Sequence, residues 1–367
     1  MKKIIFVSNT ANFSKFNKPY MKWCTQNGWQ VDYCAPNDEV VTDCDNHIVL
    51  PIPRSPFSRG VFKCIKDLRK IIEKEQYDII HCHTPMGAVI ARLAARKLFK
   101  QKKVKVIYTA HGFHFYKGAP LLNWLLYYPV EKFLSRYTTV LITINNEDYQ
   151  FAKKNFKTKE IIYTDGVGVD LQKFISLEQN RKSVLRREKD FNENDFIVLY
   201  IAEFIPRKNH KLVFDIIPEL KHQIPNLKII LAGKGELLDF YKNYVVENNY
   251  KDIVNFTGYT TEINEYCNIS DVLLMPSFQE GLPISMIESI STGLPVVASK
   301  IRGHVDVIKS EKNGFLCNLS DRKSFIDAIC KLYKNPKLRN EIAKNNIEYA
   351  KKFSIDNVLF NTTNMYK

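Results

Sequence analysis

The chain has 367 residues, of which 45% are hydrophobic and 25% are charged, which is the composition of a globular protein with more than one core. No stretch approaches the roughly 20 uncharged apolar residues of a membrane span, and we expect no secretory signal because the apolar run in MKKIIFVSN is short. The formal net charge of +15 is compatible with nucleic acid, an acidic membrane surface or a phosphorylated substrate.

The first half of the chain alternates short apolar runs with longer amphipathic runs. The short runs predict five strands: KIIFVS, QVDYCA, DIIHCH, KVIYTA and TVLITI. Between them, FKCIKDLRKIIEKE and AVIARLAARKLF have apolar residues at helical spacing. This alternation is typical of a doubly wound parallel α/β sheet.

The pattern loosens into a polar, charged stretch around residues 169–194 and then resumes. The second half offers DFIVLYIA, LKIILAG, DIVNFTG, DVLLMP and LPVVAS as strands, again with helices between them. We therefore expect two Rossmann-like domains, residues 1–175 and 190–345, joined near 175–193. The helical stretch 346–367 is expected to pack back on the first domain.

Two runs in the first half are candidate surfaces. The run ARLAARKLFKQKKVK carries seven cations and no acid, and is either a solvated helix face or a patch facing anionic lipid. The run APLLNWLLYYPVEKFLSRY is either a core or interdomain helix, or a helix that rests on lipid or grips a lipid-linked acceptor. No nucleic-acid module accompanies the charge, so we expect no nucleic-acid partner.

The cysteines and histidines indicate which disulfide, metal or proton-transfer sites to expect. Eight scattered cysteines favour reduced thiols in a cytoplasm over a disulfide framework. His81 and His83 alternate on one strand and point the same way, but a third ligand is missing nearby, so we expect no metal. His111 ends the next strand, where an imidazole can bond a sugar hydroxyl or exchange a proton near neutral pH. Ordinary cleft packing is the alternative, and His114 is a weaker candidate in the same loop.

The segment FQEGLPISMIESISTGLPVVAS, residues 278–299, places carboxylates on both sides of a predicted helix start. Pro283 suits the first helical position, and Gly293 ends the helix before a buried strand. Glu280 then lies in the loop and Glu288 inside the helix, about 12 Å apart if the whole interval is helical. Such carboxylates can hold two ends of a long ligand, with the free N–H groups of the helix start binding a phosphate between them.

Two further motifs follow strands in the second half. In IAEFIPRKNH, Arg207 and Lys208 precede a helix, where adjacent cations oppose the helix dipole unless an anion binds; a solvated basic turn is the alternative. AGKGE lacks the third glycine of a dinucleotide fingerprint. Its glycines either let a base or phosphate approach the backbone or form a turn.

Taken in order, EGLPISMIE, PRKNH, AGKGE, FTGY, MPSFQEGLP and GLPVVAS resemble the retaining GT-B glycosyltransferases of the family 4 type, whose signature is E-x7-E. HCHTPMGAVIARLAAR and TAHGFHFYKGAPLLNWLLYYPVEKFLSRYT resemble a subgroup assigned to bacterial capsule and exopolysaccharide synthesis. The resemblance covers nearly the whole chain. It implies a GT-B fold, in which two Rossmann-like domains face a central cleft.

The resemblance also implies roles for individual residues. Glu280 would lie near the donor sugar, His111 would contact that sugar, and Lys208 would neutralise the diphosphate. The donor-binding positions would be Arg207, Gly233, Lys234, Gly235, Glu236, Gly258, Tyr259, Gly281, Leu282, Ile284 and Glu288. Within this set, Glu288 would take the ribose, the backbone near Gly281 to Ile284 the diphosphate, and the glycine loops the base.

Two departures from the family pattern are visible. Ala202-Glu203 stands where the family commonly has Gly-Arg, so either Arg207 substitutes for that arginine or Glu203 points away. The glycine-rich loop after the first strand is replaced by SNTANFSKFNKPY, in which phosphate contact is less expected.

The activity implied is a metal-independent, retaining sugar transfer without a cofactor. The donor would be a nucleotide sugar, UDP-linked, with an N-acetylated hexose among the candidates. The acceptor would be an undecaprenyl-diphosphate-linked glycan, and the protein would be cytoplasmic and peripheral on the inner membrane face. The alternatives are a UDP-sugar epimerase of GT-B type and a non-catalytic, nucleotide-sugar-binding partner of a polysaccharide assembly complex.

Overall fold

A computed structural model describes all residues, Met1–Lys367, and the chain divides into two compact units. The first unit comprises Met1–Gly168 with Ile355–Lys367, and the second comprises Val169–Ser354. The polar stretch 175–193 therefore lies inside the second unit, where part of it is helical. None of the helices combines the length and apolar character needed to cross a bilayer.

The first unit is a seven-stranded parallel sheet in the order β3-β2-β1-β4-β5-β6-β7, with helices in the connections. Its strands and helices are β1 (Lys3–Val7), α1 (Ser14–Gln26), β2 (Gln30–Ala35), β3 (Asn46–Val49), α2 (Val61–Glu75), β4 (Ile79–His83), α3 (Pro85–Lys100), β5 (Lys105–Ala110), α4 (Leu121–Leu134), β6 (Val140–Thr143), α5 (Asn146–Asn155) and β7 (Glu160–Tyr163).

Both faces of this sheet are covered. Successive side chains of β1 enter different apolar clusters: Ile5 and Val7 join one, and Ile4 and Phe6 join the other. This follows from the period of two in a strand, and it explains why the central strands are continuous apolar runs rather than alternating ones.

The second unit is a six-stranded parallel sheet in the order β10-β9-β8-β11-β12-β13. Its elements are α6 (Gln179–Glu188), β8 (Phe196–Ile201), α7 (His210–Gln223), β9 (Leu227–Ala232), α8 (Leu238–Glu247), β10 (Val254–Gly258), α9 (Ile263–Ile269), β11 (Val272–Met275), α10 (Ile284–Ser291), β12 (Val296–Ser299), α11 (His304–Val307), β13 (Gly314–Cys317), α12 (Arg322–Lys334) and α13 (Pro336–Ala350). The prediction of two parallel α/β sheets is confirmed.

The last segment of the chain returns to the first unit as α14 (Ile355–Thr362) and a short 3-10 turn. The Thr362 hydroxyl donates to the Tyr20 hydroxyl at 3.2 Å, and the Tyr366 hydroxyl lies 2.7 Å from Nδ1 of His81. Tyr366 is 1% exposed, so the end of the chain is part of the core of that unit.

Candidate functional site

The site in the second unit lies where the strand order reverses. β8 pairs with β9 on one side and with β11 on the other, and ligands of parallel sheets bind beyond the carboxyl ends of strands at such a point. Lys208 ends a 3-10 turn that follows β8, and Glu280 lies in the loop that follows β11. The topology therefore brings together two residues that are 72 positions apart in the sequence.

Glu280 and Lys208 form a buried ion pair. The Lys208 ammonium lies 2.5 Å from Oε1 of Glu280, and the two side chains are 13% and 8% exposed, respectively. Arg207 lies 3.6 Å from the other carboxylate oxygen. Burial by itself raises the pKa of Glu280, but Lys208, with smaller contributions from His304 and Arg207, brings that pKa below its ordinary value. Glu280 is therefore ionised at neutral pH and orients Lys208.

Backbone contacts fix the turn that carries Lys208. The Tyr200 hydroxyl, at the end of β8, donates to the Lys208 carbonyl at 2.5 Å and lies 3.3 Å from the Ser277 hydroxyl. Asn209 adopts a left-handed backbone with φ of +54° and donates through its side chain to the Pro276 carbonyl at 3.0 Å. The loops after β8 and β11 are thus tied together by protein contacts alone.

A third strand end supports the Glu280 loop, and sequence reasoning missed it. After β12, Gly303 has φ of +82°, and a Cβ there would lie 2.5 Å from the Gly281 carbonyl oxygen. The next residue, His304, is fully buried; its Nδ1–H donates to the Ser299 carbonyl at 2.8 Å, while Nε2 has no partner. Burial lowers the pKa of His304 to about 4, although Glu280 opposes this shift. The available signal was the polar RGH, which begins three residues after the end of the predicted strand LPVVAS.

The two glycine loops lie side by side beyond β9 and β10. A Cβ on Gly233 would lie 2.0 Å from the Ala202 carbonyl oxygen, and one on Gly235 would lie 2.5 Å from that of Phe204. The Gly233 N–H donates to the Gly258 carbonyl at 2.8 Å. These glycines therefore permit close approach of three backbone segments, which is more than a simple turn requires.

Side chains on these loops are open to solvent. The Lys234 ammonium lies 5.6 Å from the centre of the Tyr259 ring, and Tyr259 is 70% exposed. Glu236, in the first of these loops, is also exposed. The Glu203 side chain is exposed, and Arg207 lies beside Glu280. Both placements fit the alternatives given for the missing arginine, namely that Glu203 points away or that Arg207 substitutes for it.

Helix α10 begins one residue later than expected. Pro283 is the N-cap residue with an extended backbone (ψ 109°), and Ile284 is the first helical residue. The correction is small: the N–H groups of Ile284 and Ser285 have no intrahelical partner, while that of Met286 donates to the Pro283 carbonyl at 3.2 Å. Gly293 ends the helix with φ of +87°, as expected.

Glu288 is the fifth residue of α10 and is half-buried. Burial, with a smaller contribution from Glu288, raises the pKa of the neighbouring Cys267 thiol to about 12. Gly281 and Leu282 precede the helix, and Leu282 is 9% exposed. The predicted residues of the β11–α10 segment therefore share one end of the second sheet with Lys208, Arg207 and the glycine loops.

Histidines cluster in the first unit. The rings of His81 and His83 lie on the same side of β4, 4.2 Å apart, as the alternation predicted. Both ring nitrogens of His81 have partners, Tyr366 and Thr109, so this residue is a packed core histidine rather than a metal ligand. Nδ1 of His83 lies 3.3 Å from Nε2 of His111.

The pKa of His111 changes its expected chemistry. Burial lowers the pKa of His111 to about 4, so its imidazole is neutral at pH 7. The lowered pKa favours the hydrogen-bonding alternative for His111 over proton exchange near neutral pH, and the role of this residue stays a prediction. His114 stacks on Tyr127 with ring centres 4.6 Å apart.

Each of the two candidate surface runs is buried in part and exposed in part, so the alternatives for both stay open. Arg92, from the basic run, is 1% exposed, and it forms an ion pair with Glu131 of α4 at 2.9 Å. The remaining cations of α3 and the turn after it are exposed: Arg96, Lys97, Lys100, Lys102 and Lys103. In α4, Trp124, Tyr127 and Tyr128 pack against the core and Leu134 is buried, whereas Phe133 and four leucines face solvent: Leu121, Leu122, Leu125 and Leu126.

One pair of carboxylates was passed over at the level of the sequence. Asp43 and Asp45 are one residue apart and follow β2. Asp43 pairs with Lys18 at 2.9 Å, and Asp45 accepts the Val31 N–H at 2.7 Å. Both carboxylates therefore have protein partners at the edge of the first sheet.

Two family models match the chain. Glycosyl transferases group 1 matches residues 181–349, and Glycosyl transferase 4-like matches residues 3–145. EpsD of Bacillus subtilis (strain 168), which is named as a glycosyltransferase, is 39% identical over 358 residues, covering 96% of this chain and 93% of EpsD. The UDP-Gal:alpha-D-GlcNAc-diphosphoundecaprenol alpha-1,3-galactosyltransferase of Escherichia coli is 31% identical, covering 77% and 73%.

Solved structures agree on the fold. Sucrose-phosphate synthase from Thermosynechococcus elongatus has a TM-score of 0.81 at 18% identity, covering 100% of this chain and 98% of that one. Anabaena HepE in complex with UDP and glucose has a TM-score of 0.79 at 16% identity, covering 100% and 99%. The chain therefore belongs to the group 1, GT4-like glycosyltransferases with the GT-B fold.

Proposed function

We propose that this glycosyltransferase moves a sugar from a UDP-linked donor to an undecaprenyl-diphosphate-linked glycan during capsule or exopolysaccharide synthesis, with retention of anomeric configuration. The observation that carries the proposal is the buried Lys208–Glu280 pair at the switch point of the second sheet, directly before the free N–H groups of α10. A fixed cation and oriented backbone amides are what the diphosphate leaving group of such a donor needs.

The donor is proposed to lie along the carboxyl end of the second sheet. Lys208, Arg207 and the amides near Gly281, Leu282 and Ile284 take the diphosphate. Glu288 accepts hydrogen bonds from the ribose hydroxyls. The loops at 233–236 and 258–259 receive the base, because their glycines leave backbone groups open to close approach.

Glu280 has two tasks in this proposal. It holds the Lys208 ammonium in place through the ion pair, and its carboxylate faces the hydroxyls of the bound donor sugar. As the sugar–phosphate bond breaks, negative charge grows on the diphosphate, and Lys208 stabilises it without having to reorient. The departing phosphate then takes the acceptor's proton on the same face of the sugar, so no residue is assigned as a covalent nucleophile, and no metal ion is required.

The role implied for His111, contact with the donor sugar, stays a prediction. Its lowered pKa means that the group acts as a neutral imidazole. A neutral imidazole has one N–H donor and one acceptor, which suits a sugar hydroxyl.

The acceptor and the place of action are proposed from the first unit and from relatives. The Escherichia coli relative is named for a diphosphoundecaprenol acceptor, and so is an N-acetylgalactosaminyltransferase of Campylobacter jejuni that is 24% identical over 94% of this chain. Three leucines of α4 are at least 62% exposed: Leu121, Leu122 and Leu125. With exposed cations close by in sequence, such as Lys117, Lys132 and Arg136, this face suits the inner surface of the cell membrane.

A donor screen followed by a turnover assay tests the proposal. Thermal shift against UDP-, GDP- and dTDP-sugars identifies the donor, and product mass after incubation with an undecaprenyl-diphosphate-linked glycan identifies the transfer. UDP-galactose and UDP-N-acetylgalactosamine are the first candidates, because the two relatives transfer those sugars by name.

A matched pair of variants makes the assay specific. Glu280→Gln is expected to abolish UDP release, whereas Glu311→Gln, which changes an exposed glutamate paired with Lys331, is expected to keep it. An isomerised free UDP-sugar, or UDP release that survives Glu280→Gln, would contradict the proposal.

A further inference from the structure

The first unit contains a cavity of 770 Å³ that none of the roles above uses. It lies beyond the carboxyl ends of β1 and β4, where the order of that sheet reverses: Asn9 follows β1, and Pro85 and Met86 begin α3 after β4. This is the position at which a parallel sheet binds a ligand. The loop after β5 contributes His114 to the wall.

The wall of the cavity is mostly apolar. Its apolar side chains come from the 54–61 loop, α3 and α4: Phe57, Val61, Met86, Val89, Leu126 and Val130. Two charged groups reach the wall, and one of them is already neutralised, because Glu131 is paired with Arg92. Arg54 is the other, and the loop 53–60 that carries it contains Arg59 and no acidic residue. The cavity thus combines a large apolar volume with one exposed cation, Arg54, whose charge also interacts with Asp38 outside the wall.

The cavity is continuous with the exposed apolar surface of the unit. Phe57 is 81% exposed, and Leu126 and Val130 of α4 are 42% and 41% exposed, although all three line the cavity. Leu122 and Leu125 extend this surface along α4. An apolar chain lying against α4 can therefore enter the cavity without crossing polar surface.

We infer that this cavity holds the prenyl diphosphate part of the acceptor, with the first isoprene units against Val89 and Val130 and the diphosphate at Arg54. The inference rests on the proposed function, because it takes the acceptor to be lipid-linked. A nucleotide or a free glycan would leave most of its polar groups unpaired against this wall, which is costly. An anionic amphiphile matches both the apolar wall and the cation at Arg54.

Farnesyl diphosphate is a soluble probe of this site, and calorimetric titration of the full chain measures its affinity. Val130→Trp fills the cavity from a partly exposed helix position, and we expect it to weaken farnesyl diphosphate at least tenfold. Leu125→Trp adds the same ring to the same helix outside the cavity, and we expect affinity within twofold of the unmodified chain. Urea unfolding followed by far-UV circular dichroism on each variant reports whether the first unit, which carries both positions, is intact.

A second pair of variants tests whether Arg54 binds the diphosphate. Arg54→Gln is expected to weaken farnesyl diphosphate about fivefold or more and to leave farnesol unaffected, since a charge-assisted hydrogen bond is stronger than a neutral one. Arg59→Gln, in the same loop but outside the wall, is expected to change neither.

Three outcomes would overturn the inference: no binding of farnesyl diphosphate, equal binding by Val130→Trp and Leu125→Trp, or farnesol and dodecyl maltoside binding as tightly as the diphosphate. The last outcome would mark a site for membrane lipid or detergent in general.

The same variants distinguish failure of the cavity inference from failure of the proposed function. If lipid-linked acceptors are turned over normally by Val130→Trp, the function stands and the inference is lost. If no such acceptor is turned over while Val130 and Arg54 still control prenyl diphosphate binding, the cavity assignment stands and the transfer reaction is lost.

Discussion

The buried pair between Lys208 and Glu280 leads to a quantitative prediction. Lys208→Met keeps the length of the side chain and removes its charge, leaving a carboxylate that is 8% exposed with Arg207 3.6 Å away. Breaking a buried pair by removing one partner costs roughly 3–5 kcal/mol. Because Arg207 remains, we expect the lower end, about 3 kcal/mol of unfolding free energy.

The chain provides a close control in the same region. Lys211 pairs with Asp215 at 2.7 Å, but its side chain is 74% exposed. An exposed pair of this kind contributes about 0.3–0.5 kcal/mol, so Lys211→Met should cost several-fold less than Lys208→Met. The double variant Lys208→Met/Glu280→Gln removes the unpaired charge as well, and should recover part of the lost stability without recovering turnover.

Urea unfolding can separate the two units. All three tryptophans, Trp23, Trp29 and Trp124, belong to the first unit, so their fluorescence reports that unit while far-UV circular dichroism reports both. The Lys208→Met loss should appear in circular dichroism. Turnover should fall about 10²–10³-fold, the usual cost of one preorganised group at a developing charge. Equal stability of Lys208→Met and Lys211→Met would refute the reasoning.

The stability from Glu280 also has a pH signature. The folded pKa of this carboxyl lies below its ordinary value, so its contribution is fully present above the unfolded pKa of about 4.3. It is lost as pH falls through the folded pKa, because protonation then neutralises the carboxylate in both states. The difference between the chain and Lys208→Met should therefore shrink in acid and persist at neutral pH.

Three further outcomes are expected. Burial lowers the pKa of His81 to about 3, so between pH 6.5 and that value the unfolded chain binds a proton at His81 that the folded chain does not. The contribution of His81 to stability should therefore fall by about 1.4 kcal/mol for each unit by which the pH is lowered. Tryptophan-monitored urea midpoints should fall less steeply with pH for His81→Gln, but not for His222→Gln, which changes an exposed histidine. Gly303→Ala should lower UDP affinity, and it should reduce the free energy of unfolding by more than the roughly 1–3 kcal/mol of backbone strain, because the added Cβ meets the Gly281 carbonyl. Gly118→Ala, with φ of +93° and no atom near the added Cβ, should lose only the strain energy, as measured by unfolding followed by circular dichroism. Glu288→Gln should lower the calorimetric affinity for UDP about tenfold, because a charged hydrogen bond to the ribose is lost. The affinity for inorganic diphosphate, which has no ribose, should be unchanged.

Most of the sheet architecture could be predicted because buried parallel strands require apolar runs. The strands that sequence reasoning missed are β3, β7 and β13, each four residues long and each at the edge of its sheet. An edge strand has a neighbour on one side only, and β3 and β7 have no fully buried residue. Such strands need no continuous apolar run, so the pattern that finds central strands does not find them.

Within the site, single residues could be predicted from the sequence, but the contacts that hold them in place could not. Lys208 and Glu280 stand out because charge at a predicted strand end is costly without a partner or ligand. The Tyr200 bond to the Lys208 carbonyl and the contact of Gly303 with Gly281 depend on which strands are neighbours. The burial of Arg92 against Glu131 likewise depends on how α4 packs on α3, which local spacing does not encode.

A crystal structure of the chain with UDP tests the central claim most directly. We predict the diphosphate at the start of α10, within hydrogen-bond distance of Lys208 and the first backbone amides of the helix, with the ribose at Glu288. A nucleotide bound elsewhere, or a diphosphate placed away from α10 with Lys208 still paired only to Glu280, would contradict the account.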